Sequence, residues 1–125
     1  MLGDKNATAT VAVRDIDAAR KFYEGTLGLA RLDAEGSEAV VYAAGASRLL
    51  VYRSQFAGTN QATAVTWTLG ADLERAVDLL KSKGVAFEHY EMPEARLEGD
   101  VHIMGDMRAA WFKDPDGNIH ALVSR

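Results

Sequence analysis

The side chains that could bind a metal or move a proton are few. The chain carries three histidines, His89, His102 and His120, and no cysteine. In "GDVHIMGD", Asp100 and His102 stand two apart. On a strand that spacing puts both on one face, which suits a metal or an acid–base pair, though an exposed loop hydrogen bond would look the same in sequence. His102, in this Gly-punctuated segment, is a candidate ligand contact. His120 points away from its neighbour Ala121 on the last strand, toward a helix, and is expected to be packed and hydrogen-bonded. "HYEMPE" (His89 to Glu94) either lines a cleft mouth or ends a strand. Tyr42, Tyr52, Phe56, Trp67, Tyr90 and Trp111 are available to stack on a planar ligand. Trp67 aligns with helix-facing residues, whereas Tyr52 and Trp111 fit either face. Arg48 and Arg53 could meet an acidic ligand or simply be surface arginines.

Several chemistries are excluded at once. Without cysteine there are no disulfides, no thiolate nucleophile and no Cys-ligated zinc. The chain has no Gly-x-Ser-x-Gly elbow, no Walker A loop and no Gly-x-Gly-x-x-Gly. No acidic pair stands out as a glycosidase dyad.

The elements that must position these residues are readable from periodicity. "ATATVAVRD" alternates, with Ala9, Val11 and Val13 on one face and Thr8, Thr10 and Ala12 on the other. Asp15 is placed to cap a helix carrying Ile16, Ala19, Phe22 and Tyr23, and Gly25 and Gly28 to end it. Strands are expected at Leu29–Asp33, Ala39–Ala43 and Arg48–Arg53, followed by the polar loop "QFAGTNQAT". The pattern then recurs. "AVTWTLG" sets Val65, Trp67 and Leu69 against Ala64, Thr66 and Thr68. Asp72 offers a second cap, Leu73, Ala76, Val77 and Leu80 a second amphipathic helix, and Gly84 its end. "VAFEHYEM" is expected as a strand and Pro93 to Gly99 as a charged loop. A strand is expected within Val101–Phe112 and the last one at Asn118–Ser124. Each half thus reads as a βαβββ unit, the economical account of the internal symmetry. The expected class is α+β. Module 1 spans about 5–54 and module 2 about 62–125 within one domain of 1–125. In each, a helix covers the apolar strand face and the face with Thr8, Thr10, Thr66 and Thr68 is left as a cleft wall or for close sheet packing.

Composition agrees with a compact domain. Of 125 residues, 48% are hydrophobic and 26% charged. The net charge of −4, without a basic run, argues against nucleic-acid binding. No apolar run reaches the ~18 residues of a membrane span. The N-terminus lacks a signal-peptide apolar core, so a cytoplasmic location is expected.

Two stretches carry a resemblance. "VAVRDIDAARKFYEGTLGL" near the start and "AAWFKDPDGNIHALV" near the end resemble the vicinal oxygen chelate superfamily, which includes glyoxalase I, extradiol dioxygenases, fosfomycin-resistance transferases and bleomycin-resistance proteins. The resemblance implies paired βαβββ modules forming a curved mixed sheet around a cleft, and a homodimer. It also implies metal ligands at positions occupied here by Thr8, by Ala64 or Val65, by a residue within Leu49 to Tyr52, and by Ala121. None of these carries a carboxylate or imidazole, and a transition metal needs about three such donors. No cofactor is therefore expected at the usual metal position, with a divalent metal elsewhere a lesser alternative. The expectation is a protein that binds a small hydrophobic or aromatic molecule through Thr8, Thr10, Tyr52, Thr66, Thr68, His102, Trp111 and Ala121. The alternatives are a glyoxalase-like lyase or isomerase, or a dioxygenase, built on His102, Asp100 or His89, and a non-catalytic interaction module. The Asp114–Asn118 turn is read as structural, with Pro115 fixing φ and Gly117 accepting a positive φ.

Overall fold

The computed structural model describes every residue except Ser37 and Arg125, with Ala34 and Glu35 described by their backbone alone. Contacts divide the chain into two compact units, Met1–Thr59 and Asn60–Arg125.

The first unit begins with β1 (Ala9–Val13) and α1 (Ile16–Arg20). Asp15 caps α1 as its position suggested, Oδ1 accepting from the N–H of Asp17 at 2.9 Å and of Ala18 at 3.2 Å. The helix then widens into a π-turn over Lys21–Thr26, marked by Leu27 N–H donating to the Phe22 carbonyl, and the chain leaves it through Gly28 at φ 72°. Three antiparallel strands follow: β2 (Ala30–Glu35), β3 (Ala39–Ala44) and β4 (Ser47–Arg53). β1 joins parallel to β4, giving a mixed sheet of order β1-β4-β3-β2. Val11, Val13, Val40, Tyr42, Leu49 and Val51 form its buried face. There Tyr23 stacks on Tyr42 with ring centres 6.0 Å apart, and the Tyr42 hydroxyl donates to Glu24 at 2.9 Å. Burial and that bonded carboxylate both raise the Tyr42 pKa.

The second unit runs β5 (Thr63–Thr68), a 3₁₀ turn over Gly70–Asp72, and α2 (Leu73–Ser82). Asp72 does not cap α2. The 3₁₀ turn occupies the position a cap would need, and the carboxylate pairs with Arg75 instead. Five strands follow: β6 (Phe87–Glu88), β7 (Arg96–Glu98), β8 (Val101–Met104), β9 (Met107–Lys113) and β10 (Ile119–Val123). The sheet order is β5-β10-β9-β8-β7, with β6 also on β9, and β10 runs parallel to β5.

These strands depart from the sequence reading in three places. The "VAFEHYEM" strand shrinks to two residues, because after Glu88 the Tyr90 N–H turns to the His102 side chain rather than to a neighbouring strand. The charged loop before Gly99 contains β7. The 101–112 segment folds into two strands, β8 and β9, around Gly105 at φ 62°. Both additions arise because polar alternation in a short hairpin is hard to distinguish from loop composition. The α+β class holds, with two mixed sheets and one helix per unit.

The 114–118 turn locks β9 to β10. The buried Asp114 carboxylate accepts from the N–H of Asp116 and Asn118 and from the Asn118 amide, at 2.8–2.9 Å. Gly117 adopts φ 88°.

Candidate functional site

Strand register decides which side chains share a face in the second unit. Thr66, Ala121, Trp111 and Glu88 stand in one row across the sheet. Thr68, Val123, Ala109, His102 and Leu97 form the next row, two residues away on each shared strand. Both rows therefore lie on one face. The other face holds Arg108, Phe112, His120 and Trp67. It meets α2, whose Glu74 bonds Arg108 at 2.7 Å. The structure thus brings Thr66, Thr68, His102, Trp111 and Ala121 onto the helix-free face. Trp111, ambiguous in sequence, is fixed there by its pairing with Ala121.

His102 is 1% exposed. The Trp111 ring stands edge-on to it at 4.9 Å and 87°, and the Tyr90 ring lies 6.2 Å away. Tyr90 and Trp111 meet edge to face at 5.4 Å, and the Trp111 indole donates to the Thr63 hydroxyl at 3.3 Å. Burial raises the Tyr90 pKa, with the Glu88 charge adding to it. Beside this cluster lies a surface concavity of about 670 Å³ whose wall includes His89, Tyr90, Met92, Arg96, Leu97 and His102. Tyr90 and Leu97 are exposed apolar groups in that wall. The loop residues that build it were not singled out beyond "HYEMPE". The signal available was a proline and a methionine next to an aromatic, which strand ends also show.

Asp100 and His102 do not act as a pair. Asp100 sits in the turn before β8, where its oxygens accept from Lys81 at 2.6 Å and meet His89 Nε2 at 2.7 Å. The Lys81 bond and then the His89 bond hold its carboxyl below the usual range. His102 Nε2 accepts the Tyr90 N–H at 2.9 Å. His120, on the helix face, is fully buried. It accepts the Trp67 indole N–H at 3.0 Å and stacks against Phe112 at 4.9 Å. Burial drives its pKa down to about 4.

In the first unit, Thr10 pairs with Leu50 and Ala12 with Tyr52, on the face away from Tyr42. Tyr52 is 40% exposed and Thr8 lies just ahead of β1. A concavity of that unit, about 450 Å³, is lined by Arg14, Glu38, Arg53, Ser54 and Gln55, away from the threonines.

Two βα-started units, each with a mixed sheet and one helix, define the class of fold seen in paired-module metalloenzymes and binding proteins. Residues 6–122 match the family model of the Glyoxalase/Bleomycin resistance protein/Dioxygenase superfamily, and the chain belongs to that superfamily. Among solved structures it is similar to lactoylglutathione lyase from Agrobacterium tumefaciens, at TM-score 0.72 and 17% identity, over 98% of this chain and 95% of that one. It is also similar to the fosfomycin resistance protein FosX from Mesorhizobium loti, at TM-score 0.70 and 15% identity, over 100% and 94%. A glyoxalase/bleomycin resistance protein/dioxygenase from Alicyclobacillus acidocaldarius gives TM-score 0.71 at 17% identity, over 96% and 90%. No curated protein matches the chain.

The residues present do not fit the metal that many members of this superfamily hold. Ala121 offers a buried methyl, Thr8 a hydroxyl, and β4 no carboxylate or imidazole. Among the described residues no three histidines, aspartates or glutamates converge. Asp100 is engaged by Lys81 and His89, and the free lone pair of His102 by Tyr90. No helix among the described residues is long and apolar enough to cross a membrane.

Proposed function

We propose that this protein binds a small, largely apolar organic molecule on the helix-free side of its second unit, without the metal centre common in its superfamily. The observation that carries the reading is the concavity beside His102. It combines exposed aromatic and aliphatic side chains with a few convergent polar groups, the usual make-up of a ligand pocket. Within the first unit, the exposed Thr10 and Tyr52, with Thr8, are proposed separately as ligand-binding residues of that unit's own sheet face. Two measurements test the reading. Protein purified without added metal should hold far less than one equivalent of zinc, nickel, manganese or iron, and near-stoichiometric metal would overturn it. In a thermal-shift screen of aromatic compounds, a ligand at 100 times its Kd should raise stability by about 2.7 kcal/mol, and Tyr90→Ala should remove most of that gain.

One observation favours a second reading. His89 lies in the same wall and its Nε2 meets Asp100 at 2.7 Å, an arrangement that orients an imidazole for general acid–base work. On that reading the protein is a metal-free lyase or isomerase, and His89→Gln abolishes turnover of a bound compound while leaving its affinity intact.

A further inference from the structure

The wall beside His102 carries information about the ligand itself, on the reading of the concavity as its site. The Tyr90 N–H donates to His102 Nε2, so the proton of the neutral ring resides on Nδ1. Among the described residues that Nδ1 is buried and has no hydrogen-bond partner. A buried N–H without an acceptor is unfavourable, and an oxygen supplied by a ligand would relieve it. The flanking surfaces are aromatic: Trp111 edge-on at 4.9 Å and Tyr90 at 6.2 Å. An adjoining hollow of about 380 Å³ is lined by Met92, Met104 and Pro93, an adaptable apolar surface. The basic groups of the wall are already matched, Arg96 by Glu98 at 2.9 Å and His89 by Asp100 at 2.7 Å. A carboxylate would therefore arrive without a free cation to meet it.

We propose that the site selects a neutral aryl carbonyl compound. Its ring packs against Tyr90 and Trp111, its carbonyl oxygen accepts the His102 Nδ1–H, and any apolar substituent extends toward Met92 and Met104. Because Nδ1 is covered, entry of the oxygen requires a small outward shift of the segment 89–97.

Three probes of one shape separate the contributions: acetophenone, ethylbenzene and benzoate, titrated into the full ¹⁵N-labelled chain in the presence of a chelator. Ethylbenzene is the more apolar of the first two, so without the hydrogen bond it binds at least as tightly as acetophenone. The proposal requires acetophenone to bind about fivefold tighter than ethylbenzene, benzoate to bind more weakly than acetophenone, and the His102 ring nitrogens to shift with acetophenone alone. In His102→Phe the acetophenone preference should vanish. Equal affinities for acetophenone and ethylbenzene in the wild type, or an unchanged preference in the variant, would overturn the carbonyl assignment while leaving the ligand site standing. If none of the three shifts the amides of residues 89–97, both readings fail. The wild-type comparison stands even if the variant does not fold.

Discussion

His120 and His102 show how one residue type takes opposite roles on the two faces of one sheet. His120 lies against Phe112 and Trp67 with no exposure, and burial lowers its pKa to about 4. The unfolded chain has the ordinary histidine value near 6.5 and binds the proton first as pH falls. The neutral ring's contribution is therefore complete above about pH 6.5 and is lost progressively down to about pH 4. A shift of this size corresponds to about 3 kcal/mol. Between pH 7 and pH 4 the wild type should lose about 3 kcal/mol more stability than His120→Phe, read by urea unfolding at each pH. Parallel losses would show that His120 is not held neutral. The packed role of His120 could be read from its strand phase alone, since it alternates with Ala121. The partner of His102 could not. Sequence spacing pairs it with Asp100, but Asp100 lies before the strand begins, and a two-residue spacing aligns side chains only inside a strand.

At the scale of elements, the same local signal gave two outcomes. Asp15-Ile16 and Asp72-Leu73 look alike in sequence. Asp15 accepts two backbone N–H groups at its helix start, while Asp72 ends a 3₁₀ turn that begins at Gly70 and pairs with Arg75 instead. Asp15→Ala should therefore cost about 1 kcal/mol. Asp72→Ala should cost less than about 0.5 kcal/mol, the scale of an exposed ion pair. Denaturant midpoints check both, and equal losses would contradict the assignment. Strands with clean alternation, such as β1 and β5, were legible because one face is buried and the other is not. β6 and β7 were not, because they are two and three residues long and flanked by polar turns. The helix-free position of Tyr52 and Trp111 depends on cross-strand register, which becomes available only when partners are known.

For the whole molecule, superfamily membership sets the architecture and the residue substitutions set the chemistry. The family resemblance puts Thr8 and Ala121 at donor positions, and His102, His120 and Asp100 are engaged by Tyr90, Trp67 and Lys81 respectively. We propose that the chain works as a homodimer, a reading supported by exposed Phe56 and Leu32, at 68% and 51%. Light scattering coupled to size exclusion should give twice the chain mass, and the monomer mass would contradict it.

The central claim is metal-independent binding of a small organic molecule beside His102. Its most direct test is an amide and indole ¹H–¹⁵N titration of the chelator-treated protein with an aromatic fragment mixture. Saturable shifts are predicted at Tyr90, Met92, Leu97 and His102 and at the Trp111 indole, unchanged when zinc, nickel or manganese is restored. Shifts that arise only after metal is restored, or that avoid this wall, would contradict the account.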